Sequence, residues 1–304
     1  MLPNFFVVGA QKAATTSLHY YLADHPEIFL PKQKETHFFV QDELYQKGLD
    51  YYEDTFFTAW SGEPVVGEVD PDYMFFPEAL SRISSHFDVT KLKFIFLFRN
   101  PVERAFSHYL MSYRRAIEPY SFECALNSEQ SRIKEGFYNK EHYSYMNRGF
   151  YYQQVKPFLA LVPNENILYL LSEDLKHNRE IVIKQVYEFL GVSSAYSPHI
   201  SDKKYNEVSL PKSLALVKKI RENSLEKKFV KALIPWEGVR KKIASKILQL
   251  NTKKKVDIVL ESHLKHNLAK IYELSNNDLA KLINRDLTHW NSWSTNSPQQ
   301  EVVA

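Results

Sequence analysis

Two short apolar runs, each breaking into a cationic turn and then a hydroxyl-bearing helical pattern, constrain this chain more than any other feature. The first is Phe5-Phe6-Val7-Val8-Gly9-Ala10-Gln11-Lys12-Ala13-Ala14-Thr15-Thr16-Ser17-Leu18. The second is Lys93-Phe94-Ile95-Phe96-Leu97-Phe98-Arg99-Asn100-Pro101-Val102-Glu103-Arg104-Ala105-Phe106-Ser107. Runs this short and this apolar mark strands buried on both faces, as in a parallel sheet. Such strands need helical crossovers, so an α/β fold is expected. A helix starting straight after a strand offers free N–H groups and a positive dipole end to an anion. Two such junctions imply a ligand with two phosphate-like ends.

At the first junction Gly9 lets the backbone turn, Lys12 adds a full charge, and Thr15 or Thr16 is expected to cap the helix. An ATP-binding loop would read G-x-x-x-x-G-K-[ST], with Lys against the hydroxyl. Here Lys12 comes early, Ala13 and Ala14 follow it, and Thr15-Thr16-Ser17 closes the loop. At the second junction Asn100 reads as N-cap, Pro101 as the first helical residue and Glu103 as the third. Arg99 then stands at the strand end, where open α/β sheets bind ligands, with a planar fork suited to phosphate. Ser107 lies about two helical turns on, with Arg104 on its face. The plainer readings are a surface Lys12, an Arg99 paired with a neighbouring carboxylate, and a solvent-facing Ser107.

With both junctions in this order, the chain resembles the sulfotransferases that use 3′-phosphoadenosine-5′-phosphosulfate (PAPS), in particular the heparan sulfate branch and its bacterial relatives. His25-Pro26, Lys34-Glu35-Thr36-His37-Phe38-Phe39, Glu173-Asp174-Leu175, Phe189-Leu190-Gly191-Val192 and Leu287-Thr288-His289-Trp290 add to the likeness, which covers roughly residues 4 to 290. The resemblance implies a P-loop-like sandwich, a mostly parallel central sheet flanked by helices. It implies that Lys12, Ala13, Ala14, Thr15, Thr16 and Ser17 hold the 5′-phosphosulfate, and that Arg99 and Ser107 hold the 3′-phosphate.

Three positions depart from the family pattern. The family usually has Gly where Ala14 stands; a left-handed Ala would be strained, so a right-handed or rearranged loop is expected there. A Lys commonly follows the Glu of the third strand, where this chain reads Gly67-Glu68-Val69-Asp70-Pro71. Late in the chain the family often shows Asn followed by Pro-Arg-Ser; here Asn206 is followed by Pro211-Lys212-Ser213, so Lys212 would bind phosphate as a point charge without the fork.

Sulfuryl transfer, like phosphoryl transfer, asks the protein for in-line positioning and charge support on the leaving group. Lys12 is the candidate for that support. Glu35 aligns with the catalytic Glu of the heparan sulfate branch and is the candidate base, with His37 as an alternative base or as its orienter. Glu68 and Asp70, at the end of the strand Pro64 to Val69, form the runner-up base site. The plainer reading of Glu35 is a solvated carboxylate beside Lys32 and Lys34. The acceptor implied is a hydroxyl, on a saccharide or glycolipid. No paired His/Cys spacing of a zinc site occurs, and no metal is expected. A P-loop kinase would need the missing GK[ST] loop. A non-catalytic nucleotide-binding module would have no use for Lys12 and Glu35.

One domain over 1–293 with a disordered tail at 294–304 is expected from the alternating pattern. Strands are expected near 4–8, 65–69, 93–98 and 167–171, and helices over 15–24, 101–117, 149–161, 176–190, 212–223 and 256–273. Lys203-Lys204, Lys218-Lys219 and Lys253-Lys254-Lys255 read as solvated faces. A net charge of +3 is too mild to argue for nucleic acid. The lone Cys124 favours a reducing, cytoplasmic setting; no membrane span or leader peptide is expected, the first strand opening at residue 4. Aromatics in 45–57 and 137–152 are candidates for an acceptor cleft, though core packing explains most of them.

Overall fold

Phe5, Phe6, Val7 and Val8 are fully enclosed, and strand β1 (Phe5–Gly9) that they form is the middle strand of the sheet. On one side it pairs with β3 (Val65–Val69), which in turn pairs with the short β2 (Ile28–Phe29). On the other it pairs with β4 (Lys93–Phe98), followed by β5 (Ile167–Leu171). Every pairing is parallel, in the order β2-β3-β1-β4-β5. The expected α/β architecture, a mostly parallel sheet with flanking helices, is what the chain adopts.

The computed structural model describes residues 1–199, 210–221, 236–253 and 259–292; Lys203, Lys204, Asn206, Lys254, Lys255 and the tail expected at 294–304 lie outside them. Two compact units divide the described residues: 1–104, 146–199 and 265–292 form the first, and 105–145 with the described residues between 210 and 264 the second. The sheet β1–β5 belongs to the first.

Helices follow the strands as parallel pairing demands. Helix α1 (Thr15–Ala23) follows β1, and the helix Pro101–Arg114 follows β4. The stretch expected as one helix over 176–190 is two, Ser172–His177 and Arg179–Leu190. The second ends where expected: Gly191 is left-handed at φ 82, its N–H donates to Glu188 O (3.2 Å), and Val192 N–H donates to Tyr187 O (3.1 Å). Further helices at Gly48–Phe56, Pro77–His86 and Phe122–Arg132 lie outside the expected set. Each is short and carries few apolar positions, so its period is hard to separate from a loop.

In the second unit β6 (Leu210–Pro211) pairs antiparallel with β7 (Thr252–Lys253). Glu118 is buried there, accepting from Tyr145 Oη at 2.8 Å and Arg132 Nη1 at 2.7 Å. Cys124 is a free, exposed thiol.

Gly67 shows how tightly the first unit's sheet is covered. Phe5 and Gly67 are register partners across β1 and β3, and a Cβ on Gly67 would lie 2.1 Å from the Phe5 ring. The ring thus occupies the place of the missing side chain. Gly67→Ala is expected to destabilise the protein by about 1–3 kcal/mol or more, as overpacking in a close-packed core does. Urea denaturation measures it, and Phe5→Leu in the same chain should restore part of the loss.

Candidate active site

The candidate groups of the first unit gather at the C-terminal ends of β1, β3 and β4. After Gly9 the chain crosses to the neighbouring strand, where Ala10 N–H donates to Leu97 O at 2.7 Å. Lys12 and Ala14 both take φ 68, and Ala14, at ψ 20, is the residue before the first turn of α1. The expectation of a right-handed Ala14 is therefore wrong. The loop reverses at that residue whatever stands there, and an Ala pays roughly 1–2 kcal/mol for it. Nor does Thr15 or Thr16 cap α1: Thr15 is already helical and buried, and no side chain caps the first turn. No acidic residue sits in that turn either. The positive end of α1 is left to an anion from outside.

Arg99 joins the two junctions. Its Nη1 donates to Lys12 O at 3.4 Å, and its Nε and Nη2 to Glu103 Oε2 at 3.2 and 3.1 Å. The pairing with a neighbouring carboxylate and the place beside the loop are thus both real. Arg99 O accepts from Tyr151 Oη at 2.8 Å, which fixes the strand end from behind. Asn100 caps its helix as expected, Oδ1 accepting from Val102 N–H at 3.0 Å. Ser107 lies further along that helix, and Lys212 follows β6; both belong to the second unit. Lys212 Nζ donates to Leu250 O at 3.0 Å and its backbone N–H to Asn251 O at 2.6 Å.

Glu35 and His37 come from a loop pinned to the end of β3. Glu35 N–H donates to Val69 O at 3.1 Å and His37 N–H to Asp70 Oδ2 at 2.8 Å. Both residues hold positive φ, 61 and 55, a strain that persists only where the surroundings dictate it. The Glu35 carboxylate is 40% exposed and ion-paired with Lys34. His37 Nδ1 lies 3.4 Å from Oδ2 of Asp70 and 3.4 Å from Oδ2 of Asp72. Asp72 in turn accepts from the buried Arg148 Nη1 at 2.5 Å, whose guanidinium lies 4.3 Å from the centre of the Phe75 ring. Burial pushes the Asp70 carboxyl well above the usual range, with the His37 charge pulling the other way. The sequence reading passed over Asp72 and Arg148. Their signal is a second carboxylate two residues past Asp70, and an Arg within the aromatic-rich segment 137–152.

Glu68 is not a base site. It is 1% exposed and accepts hydrogen bonds from Thr36 Oγ1, Tyr52 Oη and, at 2.9 Å, Tyr73 Oη. Burial raises its pKa, and the hydroxyl bonds offset part of that. A carboxylate sealed under three hydroxyls ties the Thr36 loop to β3.

His19, on α1, completes the surroundings of Glu35. It is 8% exposed, and its Nδ1 has no hydrogen-bond partner among the described residues. Burial first and Lys34 second lower its pKa from 6.5 to about 4, against a smaller opposing pull from Glu35. It is therefore neutral at neutral pH. Between the two values the unfolded chain binds the proton that the folded chain refuses, so stability falls as pH drops from about 7 towards 4. The loss should approach ~3 kcal/mol from this group. His19→Leu should flatten that part of the stability–pH curve, and an unchanged slope in chemical denaturation between those pH values would contradict the assignment.

Comparison with known proteins gives the family. The sulfotransferase domain model matches residues 2–234. The chain is 35% identical over 150 residues to the membrane-associated sulfotransferase kil1 of Dictyostelium discoideum, covering 47% of this chain and 31% of that protein. It is 30% identical over 191 residues to heparan sulfate glucosamine 3-O-sulfotransferase 3B1 of Mus musculus, covering 63% of this chain and 46% of that protein. The chain thus spans less than half the length of these curated relatives. A crystal structure of a sulfotransferase from Alicyclobacillus acidocaldarius superposes with a TM-score of 0.69 at 26% identity, covering 96% of this chain and 100% of that one. With the domain model matched from the first strand through most of its length, the chain belongs to the sulfotransferase family.

Proposed function

We propose that the protein moves a sulfuryl group from PAPS to an acceptor hydroxyl, on a saccharide or glycolipid. The observation that carries this reading is the juxtaposition in the first unit. An uncapped, acid-free helix start beside Lys12 is tied by Arg99 to the end of β4, while the Glu35–His37 loop is pinned to the end of β3. An anion-binding loop and a half-exposed carboxylate on adjoining strand ends are the two parts that hydroxyl sulfation needs. The relative from Mus musculus is named for 3-O-sulfation of heparan sulfate glucosamine, which supports a sugar hydroxyl as acceptor.

The residues present fit the donor. Lys12 to Ser17 would hold its 5′-phosphosulfate at the start of α1, where no side chain caps the helix. Arg99 would hold the 3′-phosphate; Ser107 and Lys212, which the resemblance assigns to the same phosphate, belong to the second unit. Bound there, the donor supplies an activated sulfuryl group on a phosphate leaving group. Glu35 takes the acceptor's proton, Lys12 neutralises charge growing on the phosphate side, and His37, braced by Asp70 and Asp72, orients Glu35 and the acceptor. No step in this scheme asks for a metal ion. No described helix is long and apolar enough to cross a membrane, and the exposed free thiol of Cys124 supports a cytoplasmic setting.

Two measurements test the reading. Calorimetry should give tighter binding of 3′,5′-adenosine bisphosphate than of AMP by about 1.5–3 kcal/mol, the worth of charge-assisted bonds to an arginine. Arg99→Ala should erase most of that difference, and equal affinities in the wild type would sink the assignment. Glu35→Gln should leave bisphosphate affinity intact and lower turnover by ~10²–10⁴, whereas His37→Ala should cost less. Near-normal turnover in Glu35→Gln would pass the base role to His37.

A further inference from the structure

The helix Glu237–Leu250 of the second unit, with Trp236 just before it, turns a row of apolar side chains outwards. Trp236 and Leu250 are each 70% exposed, Val239 and Ile243 44%, and Ile247 38%. At 3.6 residues per turn these five fall within an arc of about 80° on one side of the helix. Lys242 and Lys246 follow along one edge of that arc and Arg240 along the other, the two lysines exposed. From 236 to 256 the sequence sets Arg240, Lys241, Lys242, Lys246 and the run Lys253 to Lys255 against a single acid, Glu237.

A water-facing row of three β-branched residues, a Leu and a Trp is costly unless something covers it. A second copy of this face would bring its basic edges against each other, which charge repulsion opposes. A surface that is apolar below and anionic above suits both features at once. The Ile and Leu side chains enter the acyl boundary, Lys and Arg reach up to the headgroups, and Trp sits at the level between them. We propose that this helix lies flat on an anionic lipid surface, holding the protein there as a peripheral, reversible attachment. The inference rests on the second unit alone and stands whether or not the catalytic reading does.

Co-sedimentation of the full chain with phosphatidylcholine vesicles, with and without phosphatidylserine, tests it. Phosphatidylserine should raise the bound fraction's partition coefficient roughly tenfold or more, and added salt should weaken binding. The exposed double variant Ile243→Ser/Ile247→Ser should lose roughly tenfold or more in binding to the anionic vesicles. Lys242→Gln/Lys246→Gln should instead reduce the preference for them. Unchanged circular dichroism and an unchanged urea denaturation curve in both variants would show that the fold is kept. Equal binding to both vesicle types, or indifference to the isoleucine changes, overturns the proposal. So does an absence of vesicle binding, whether the wild type then self-associates through this face or stays a monomer.

Discussion

The pairing of β1 between β3 and β4 is the constraint on which the first unit's site depends. Its four leading residues have no exposed surface, so the strand cannot slip by one residue without turning a Phe or Val into a different packing environment. That register brings Gly9, Val69 and Phe98 to one edge of the sheet, and each strand hands its chain to a different part of the site. From β1 comes the anion loop, from β3 the carboxylates that brace the Glu35–His37 loop, and from β4 the arginine that bonds back to Lys12. A parallel sheet leaves a crevice at that edge because its crossover helices all depart there.

Buried charge does much of the positioning. Glu68, Asp70 and Asp72 are almost without solvent contact, and each is matched by specific donors: three hydroxyls, two backbone N–H groups, and Arg148. Burying a carboxylate without such partners costs several kcal/mol, so the loops that supply the donors are held where the carboxylates are. Thr36 and His37 are therefore located by electrostatics, and Glu35, between Lys34 and Thr36 in the chain, follows. The Val69 position, where the resemblance leads one to look for a Lys, leaves Arg148, paired with Asp72, as a cation reaching past the end of β3 from another segment.

Much of this was legible in the chain as a string. The runs Phe5 to Val8 and Phe94 to Phe98 read as buried strands because nothing but a two-sided core accommodates them. Asn100-Pro101 read as a helix start because cap chemistry is local. Ala14 was misjudged, since an alanine's own preference is right-handed while the loop's closure onto α1 decides otherwise. Glu68 was misjudged because its three hydroxyl partners, Thr36, Tyr52 and Tyr73, come from separate segments whose convergence no local pattern records. β2, two residues long, carries too little pattern to be seen at all.

By itself the sequence determined the α/β class, the two strand-to-helix junctions and the kinds of group available at each, because these depend on hydrophobic runs and on interactions within a few residues. Only the tertiary structure decided that Arg99 reaches back to Lys12, that Asp70, Asp72 and Arg148 stand behind His37, that Glu68 is sealed, and that a basic helix keeps four apolar side chains, with Trp236 just before it, in water. Those facts turn on which distant segments become neighbours and which faces remain uncovered. Burial and long-range pairing exist only once the whole chain has closed on itself.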